Sequence, residues 1–147
     1  MTDLLLAVCH HLAVFTLVAI LAVEFSLLGP GLSGAGLKRV ARLDGAYGAT
    51  AGLVILIGVA RVVWGLKGWA YYQHNPWFWG KMAAFAAIGG LSILPTAALL
   101  KWRKAANADA AFLPPAAAVA RLRTYVGLEL ALVAVVVACA AAMARLG

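Results

Sequence analysis

Four long apolar runs, separated by short segments that hold most of the charge, constrain this chain more than any other feature. They cover about residues 4–28, 46–66, 78–100 and 124–146. A helix of about 20 apolar residues crosses a hydrocarbon core of about 30 Å, so each run is long enough to span a membrane. None of them alternates apolar and polar residues with period two, which excludes a transmembrane barrel. As helices they satisfy their own backbone hydrogen bonds in lipid. The expected fold is all-α: a polytopic membrane protein, a bundle of four transmembrane helices forming one transmembrane domain over residues 1–147.

Composition agrees. Hydrophobic residues make up 65% of the chain and charged residues 12%, against roughly 25% charged residues in soluble domains. Mean hydropathy is +0.97. The four runs and their connections use nearly the whole length and leave no room for a soluble domain. The net charge of +7 does not point to nucleic acid, because the basic residues sit between apolar runs and not on a soluble face. Anionic lipid headgroups account for them, so membrane lipid is the first expected partner.

Proline and glycine mark the breaks. The first run stops at Gly29-Pro30-Gly31, the second at Gly65 and Gly68, and Pro95 lies inside the third. Pro114-Pro115 interrupts the segment before the last. No internal repeat is visible. The start of the chain lacks a basic segment and a clear cleavage site, so the first run reads as a retained helix and not as a signal peptide.

Eight of the twelve Lys and Arg residues fall in the first and third connections: Lys38, Arg39, Arg42, Lys101, Arg103, Lys104, Arg121 and Arg123. The second connection holds only Lys67. The positive-inside rule then places connections one and three in the cytoplasm of a bacterial inner membrane. Both termini and the aromatic cluster Trp64, Trp69, Tyr71, Tyr72, Trp77 and Trp79 would face the periplasm, the rings forming an interfacial belt.

Ionisable residues within the runs are costly, about 2.5–3.5 kcal/mol for a charge at mid-helix on insertion scales, so each calls for a role. They form two layers. At about 1.5 Å of rise per residue, His10 and His11 lie roughly 9–10 Å below the outer boundary, and Arg61 and Lys81 within about 6–8 Å of it. Glu24, Asp44 and Glu129 belong to the inner half and are expected to be buried polar groups. His10 and Glu24 are fourteen residues apart, which at about 100° per residue leaves them within roughly 40° on one face. The same separation joins Tyr47 to Arg61 and Lys81 to Pro95, whereas His11 is turned about 100° from His10. Plain structural roles are available to all of them. The histidines can bond a neighbouring helix, and the cations can reach headgroups. Glu129 is expected to pair with Arg42, Arg121 or a hydroxyl of the first helix. Cys9 and Cys139 read as small packing residues at similar depth, with a disulfide as the alternative, and no CxxC or CxxCH occurs.

The His10-His11 start, His74-Asn75-Pro76 and Phe78-Trp79-Gly80-Lys81 resemble a bacterial family of four-helix predicted inner-membrane proteins of unknown function. More distantly, the chain is similar to the HemJ-type protoporphyrinogen oxidases. Cys9-His10-His11-Leu12-Ala13-Val14 is similar to the segment whose early histidine is implicated in haem binding, which maps to His10. Arg39-Val40-Ala41-Arg42-Leu43-Asp44 is similar to that family's basic stretch. Trp77-Phe78-Trp79-Gly80-Lys81-Met82 keeps its Trp-to-Lys spacing, which maps the family lysine to Lys81. The departures are Leu17 and Ile20 in place of a Trp and a Gly, Trp79 in place of a histidine, and a last helix that keeps only Glu129 of an Asn-Glu-x-Pro-Thr motif.

The resemblance implies a haem- or tetrapyrrole-binding membrane protein, a porphyrinogen oxidase or another redox protein, with haem b as cofactor. His10 would be the axial ligand and metal contact, Arg61 and Lys81 would pair with propionates, and His74 or His11 would be a second ligand unless that position stays open. A porphyrinogen or quinol would supply electrons, making a tetrapyrrole or quinone the small-molecule partner. The alternative is non-enzymatic: a copper-handling protein using Cys9, His10 and His11, whose soft and imidazole ligands suit copper, or a small subunit or lipid-binding bundle. A homo-oligomer is compatible with either. The catalytic residues, if the protein is an enzyme, are not identifiable from sequence.

Overall fold

The computed structural model describes residues 2–146. They form five helices: α1 (Thr2–Leu27), α2 (Gly34–Trp64), α3 (Gly68–Gln73), α4 (Pro76–Ala108) and α5 (Ala116–Leu146). All but the short α3 are long and apolar enough to cross a membrane. The protein is an all-α polytopic bundle, as the apolar runs require.

The helices outlast the apolar runs. α2 begins at Gly34 and α5 at Ala116, whereas the apolar signal starts near 46 and 124; α4 continues to Ala108. Lys38, Arg39 and Arg42 therefore sit on the first turns of α2, and Lys101, Arg103 and Lys104 on the last turns of α4. At about 1.5 Å per residue, the 33 residues of α4 extend about 50 Å, well beyond a hydrocarbon core of about 30 Å. Hydropathy marks what lipid can hold, and the helical hydrogen bonds continue beyond the apolar runs.

Local chemistry sets the ends. α1 stops before Gly29-Pro30-Gly31, where Gly31 takes φ 78°, a left-handed conformation that favours glycine. Asn75 caps α4, its side-chain oxygen accepting from Trp77 N at 3.0 Å, with Pro76 in the first turn as expected of a helix start. Pro95 lies buried within α4 without ending it.

Around the bundle the order is α1, α2, α4, α5, with α5 returning to α1. The most extensive contacts join α1 to α2 and α4 to α5, so the bundle is two antiparallel pairs. They close most tightly at the end that carries the basic residues. There Leu21, Leu28, Leu37, Val40, Leu99 and Val126 are fully buried. In α5 every buried residue lies at or before Glu129, at Val119, Leu122, Val126 and Glu129. This 3-4-3 spacing is a packing seam. Towards the other end, which carries four of the five tryptophans, the pairs part.

Candidate functional site

The parting of the helix pairs leaves a cavity of about 180 Å³ in the aromatic-end half. All four long helices line it, with Val14 and Leu17 from α1, Val54 and Gly58 from α2, Phe85 from α4 and Val133 from α5 among its walls. Two polar residues reach this apolar lining, His10 and Lys81. His10 Nδ1 is buried and has no hydrogen-bond partner. Gly58 stands opposite the ring: a Cβ there would lie 3.5 Å from His10 Cε1, so anything larger than alanine would compete with the imidazole for space.

Arg61 does not line the cavity, but its Nε is also buried without a partner. The charges of Arg61 and Lys81 both bear on His10. Lys81 Nζ lies 5.8 Å from the centre of the Phe78 ring. Thus a half-buried imidazole and a lysine meet in a wall otherwise made of hydrocarbon, with Arg61 of a third helix behind it.

The other histidines stand apart. His11 is exposed and bonds the Ala7 carbonyl at 2.6 Å, its ring edge-on to His10 at 6.3 Å. His74 is exposed at the end of α3 and bonds the Ala70 carbonyl at 2.9 Å. Neither lines the cavity. Both cysteines are free; Cys9 faces outward, and Cys139 packs where a Cβ on Gly80 would meet its Sγ at 3.3 Å. Among the described residues, no three His, Cys, Asp or Glu side chains converge on a point suited to a metal ion. Cys9 and His11 are exposed, whereas His10 lines the cavity. The cavity itself offers a ligand the buried ring nitrogen of His10 and the ammonium of Lys81.

The second polar layer lies in the closed half. Glu24 and Glu129 are each 1% exposed and Asp44 5%. Each occupies a seam position of its helix, in the series Leu17-Leu21-Glu24-Leu28, Leu37-Val40-Asp44-Tyr47 and Leu122-Val126-Glu129. Glu129 Oε2 accepts from Tyr47 Oη at 3.0 Å and from Ser92 Oγ at 2.9 Å. Asp44 Oδ1 accepts from Thr96 Oγ1 at 2.9 Å.

The expected partners of Glu129 are thus replaced. Arg42 and Arg121 are exposed, because their positions turn away from the seam. The α1 hydroxyls Thr16 and Ser26 bond carbonyls of their own helix, at 2.8 and 2.7 Å. Tyr47 and Ser92 bond Glu129 instead, as Thr96 bonds Asp44, and sequence reading did not assign these hydroxyls to the carboxyls. The signal that could have found them is register: Tyr47 follows Asp44 by three and Val40 by seven on the seam, and Ser92 and Thr96 flank the buried Pro95.

The helices, their two buried polar layers and the basic and aromatic ends define a four-span helical membrane protein. More particularly, the sequence matches the family described as "Predicted membrane protein (DUF2214)" over residues 2–147, and the chain belongs to that family. No curated protein and no solved structure matches it. The similarity to HemJ-type oxidases gains no support from these comparisons.

Proposed function

We propose that this protein binds a tetrapyrrole, haem b, between its helix pairs at the aromatic end, and that it serves as a redox protein there. One observation carries the reading: His10 presents a buried, unpartnered ring nitrogen in the wall of an apolar cavity, beside two cations from other helices. His10 would be the axial ligand. Lys81 and Arg61 would pair with the two propionates, and the latter's planar fork suits a carboxylate. Phe85, Val54 and Val133 would give the ring apolar surroundings. Bound haem would supply one-electron chemistry, on which an oxidase of the kind implied by the resemblance would draw.

The cavity volume favours a second reading. At about 180 Å³ it is below the roughly 300–1,000 Å³ of pockets that enclose a drug-sized ligand. The flat head of a quinone, with its tail left in lipid, asks for less room. Its carbonyls accept hydrogen bonds of the kind an imidazole N–H or the Lys81 ammonium donates.

The test is an absorbance spectrum of protein purified from haem-sufficient cells. A Soret band is expected, lost in His10→Ala while the protein stays monodisperse, and little changed in His11→Ala. Lys81→Ala should weaken haem retention without abolishing the band. Absence of the band together with failure to take up added haemin would overturn the haem reading. Binding of a short-chain quinone, lost in His10→Ala, would then support the second.

We also propose that the basic end faces the cytoplasm of a bacterial inner membrane and that both termini are periplasmic, on the distribution of Lys and Arg.

A further inference from the structure

The closed half of the bundle holds three of the chain's five side-chain carboxyls, and its geometry leaves them without a counter-charge. The other two lie outside it, Asp3 in the first turn of α1 at the aromatic end and Asp109 beyond the last turn of α4 at the basic end. Glu24, Asp44 and Glu129 come from α1, α2 and α5, and hydroxyls of Tyr47 on α2 and of Ser92 and Thr96 on α4 complete the surroundings. These hydroxyls occupy one oxygen each of Asp44 and Glu129. Glu24 Oε2 and Glu129 Oε1 are buried and have no partner at all.

The charges that bear on Glu24 are those of Asp44 and Glu129, and Asp44 bears on Glu129 as well. The nearby cations are turned away. Arg123 lies over the Phe25 ring at 4.7 Å on the exposed side, and Arg42 is exposed. Removing even one carboxylate from water costs several kcal/mol unless it is paired and hydrogen-bonded. Three such groups within a lipid-embedded bundle need positive charge from elsewhere. A metal ion does not suit the arrangement, since no three of these side chains converge on one point among the described residues. A proton suits it. It binds a single oxygen, needs no coordination sphere, and turns an acceptor-only carboxylate into a donor able to bond its neighbour.

The shorter route to water lies at the basic end. Glu24 is three residues from the end of α1 at Leu27, about 5 Å of rise, and more than 30 Å from the start of the helix. Towards the cavity, Leu17, Leu21 and Ile88 fill the interior.

We propose that Glu24, Asp44 and Glu129 form a proton-binding site in the closed half of the bundle, holding at least one proton at neutral pH and exchanging it with water at the basic end. The proton leaves water, adds to a carboxylate oxygen and returns the same way; no other bond changes. The site is separate from the cavity and does not depend on what the cavity binds.

Infrared spectroscopy of the purified protein in maltoside detergent micelles tests this directly, because the detergent carries no carbonyl and the chain has only five side-chain carboxyls. At neutral pH the wild type should show the carbonyl stretch of a protonated carboxylic acid, shifted in D₂O and lost reversibly as the pH is raised. At least one of Glu24→Gln, Asp44→Asn and Glu129→Gln should remove or displace the band. The Asp3→Asn, Asp109→Asn double variant should keep it. A wild-type spectrum without the band at neutral pH would overturn the proposal with no variant needed. So would a band unchanged in all three single variants, or one lost from the double variant.

Discussion

Replacing Glu129 by leucine removes the group on which α2, α4 and α5 meet, and the geometry sets how much that should cost. Glu129 Oε2 accepts from Tyr47 at 3.0 Å and Ser92 at 2.9 Å. Ser92 has one hydroxyl proton and a second acceptor in reach, the Ile88 carbonyl at 2.8 Å, so it loses little when the carboxyl goes. Tyr47 can fall back on Ser92 Oγ, but only at 3.3 Å. Hydrogen bonds between membrane helices average about 0.6 kcal/mol and reach about 1.7. With the Ser92 bond largely recovered and the Tyr47 bond partly so, the expected loss for Glu129→Leu is about 0.5–1.5 kcal/mol, a factor of about 2–12 in the folded-to-unfolded ratio. Glu129→Gln keeps a carbonyl oxygen in place and should lie within about 0.5 kcal/mol of wild type. Reversible unfolding in mixed micelles, followed by far-ultraviolet circular dichroism as denaturing detergent is added, measures both. A double-mutant cycle with Tyr47→Phe isolates the pair, and a coupling of about 0.5–1 kcal/mol is expected. Leucine at 129 matching or exceeding wild type, or strict additivity with Tyr47→Phe, would refute the reasoning. The seam would then be held by hydrocarbon packing alone, as when buried ionic groups are replaced by apolar ones without loss.

Two further outcomes follow from charge and from packing. Reporter fusions after Leu37 and Ala108 should read as cytoplasmic and a fusion after Gly147 as periplasmic; a cytoplasmic C-terminus would break the proposed orientation. A Cβ on Gly80 already lies 3.3 Å from Cys139 Sγ, so Gly80→Val should overpack the α4–α5 contact and destabilise by about 1–3 kcal/mol in the same unfolding assay. Cys139→Ala should restore part of that loss, and no rescue would mean that the strain lies elsewhere.

The four spans were legible because lipid imposes a length and a composition that few other constraints mimic. The helix ends were not. Lys38, Arg39 and Arg42 read as a loop because charge interrupts an apolar run, yet they complete the first turns of α2, where headgroups and water accept them. Depth was legible from residue counting, and it sorted His10, Arg61 and Lys81 from Glu24, Asp44 and Glu129 into the layers the structure contains. Pairing was not. Tyr47 and Glu129 are 82 positions apart, and nothing in one sequence says which hydroxyl a buried carboxyl will meet. Register would have narrowed the choice, since Asp44, Tyr47 and Glu129 all continue a seam of leucine and valine. An ionisable group on a core seam must find its partner on the facing helices, so Arg42 and Arg121, off the seam, were poor candidates from the start.

The unequal closure of the two halves has a physical origin in the same residues. Between helices in lipid, apolar side chains gain little by meeting one another, because the acyl chains are equally apolar. Polar contacts therefore weigh heavily in deciding where a bundle closes. In the basic-end half, Tyr47 and Ser92 bond Glu129 and Thr96 bonds Asp44, tying α2, α4 and α5 together. In the cavity's walls valine and phenylalanine face one another, and His10 Nδ1 bonds to nothing. Beyond the cavity the chain is tied again: Tyr71 Oη donates to the Met143 carbonyl at 2.8 Å, and Leu66 N to Asp3 Oδ1 at 3.4 Å. These contacts join the α2–α4 connection to the far ends of α5 and α1. The cavity thus lies between two sets of hydrogen bonds, which hold the helix pairs at a spacing that the side chains between them do not fill. None of the residues that make these bonds lines the cavity.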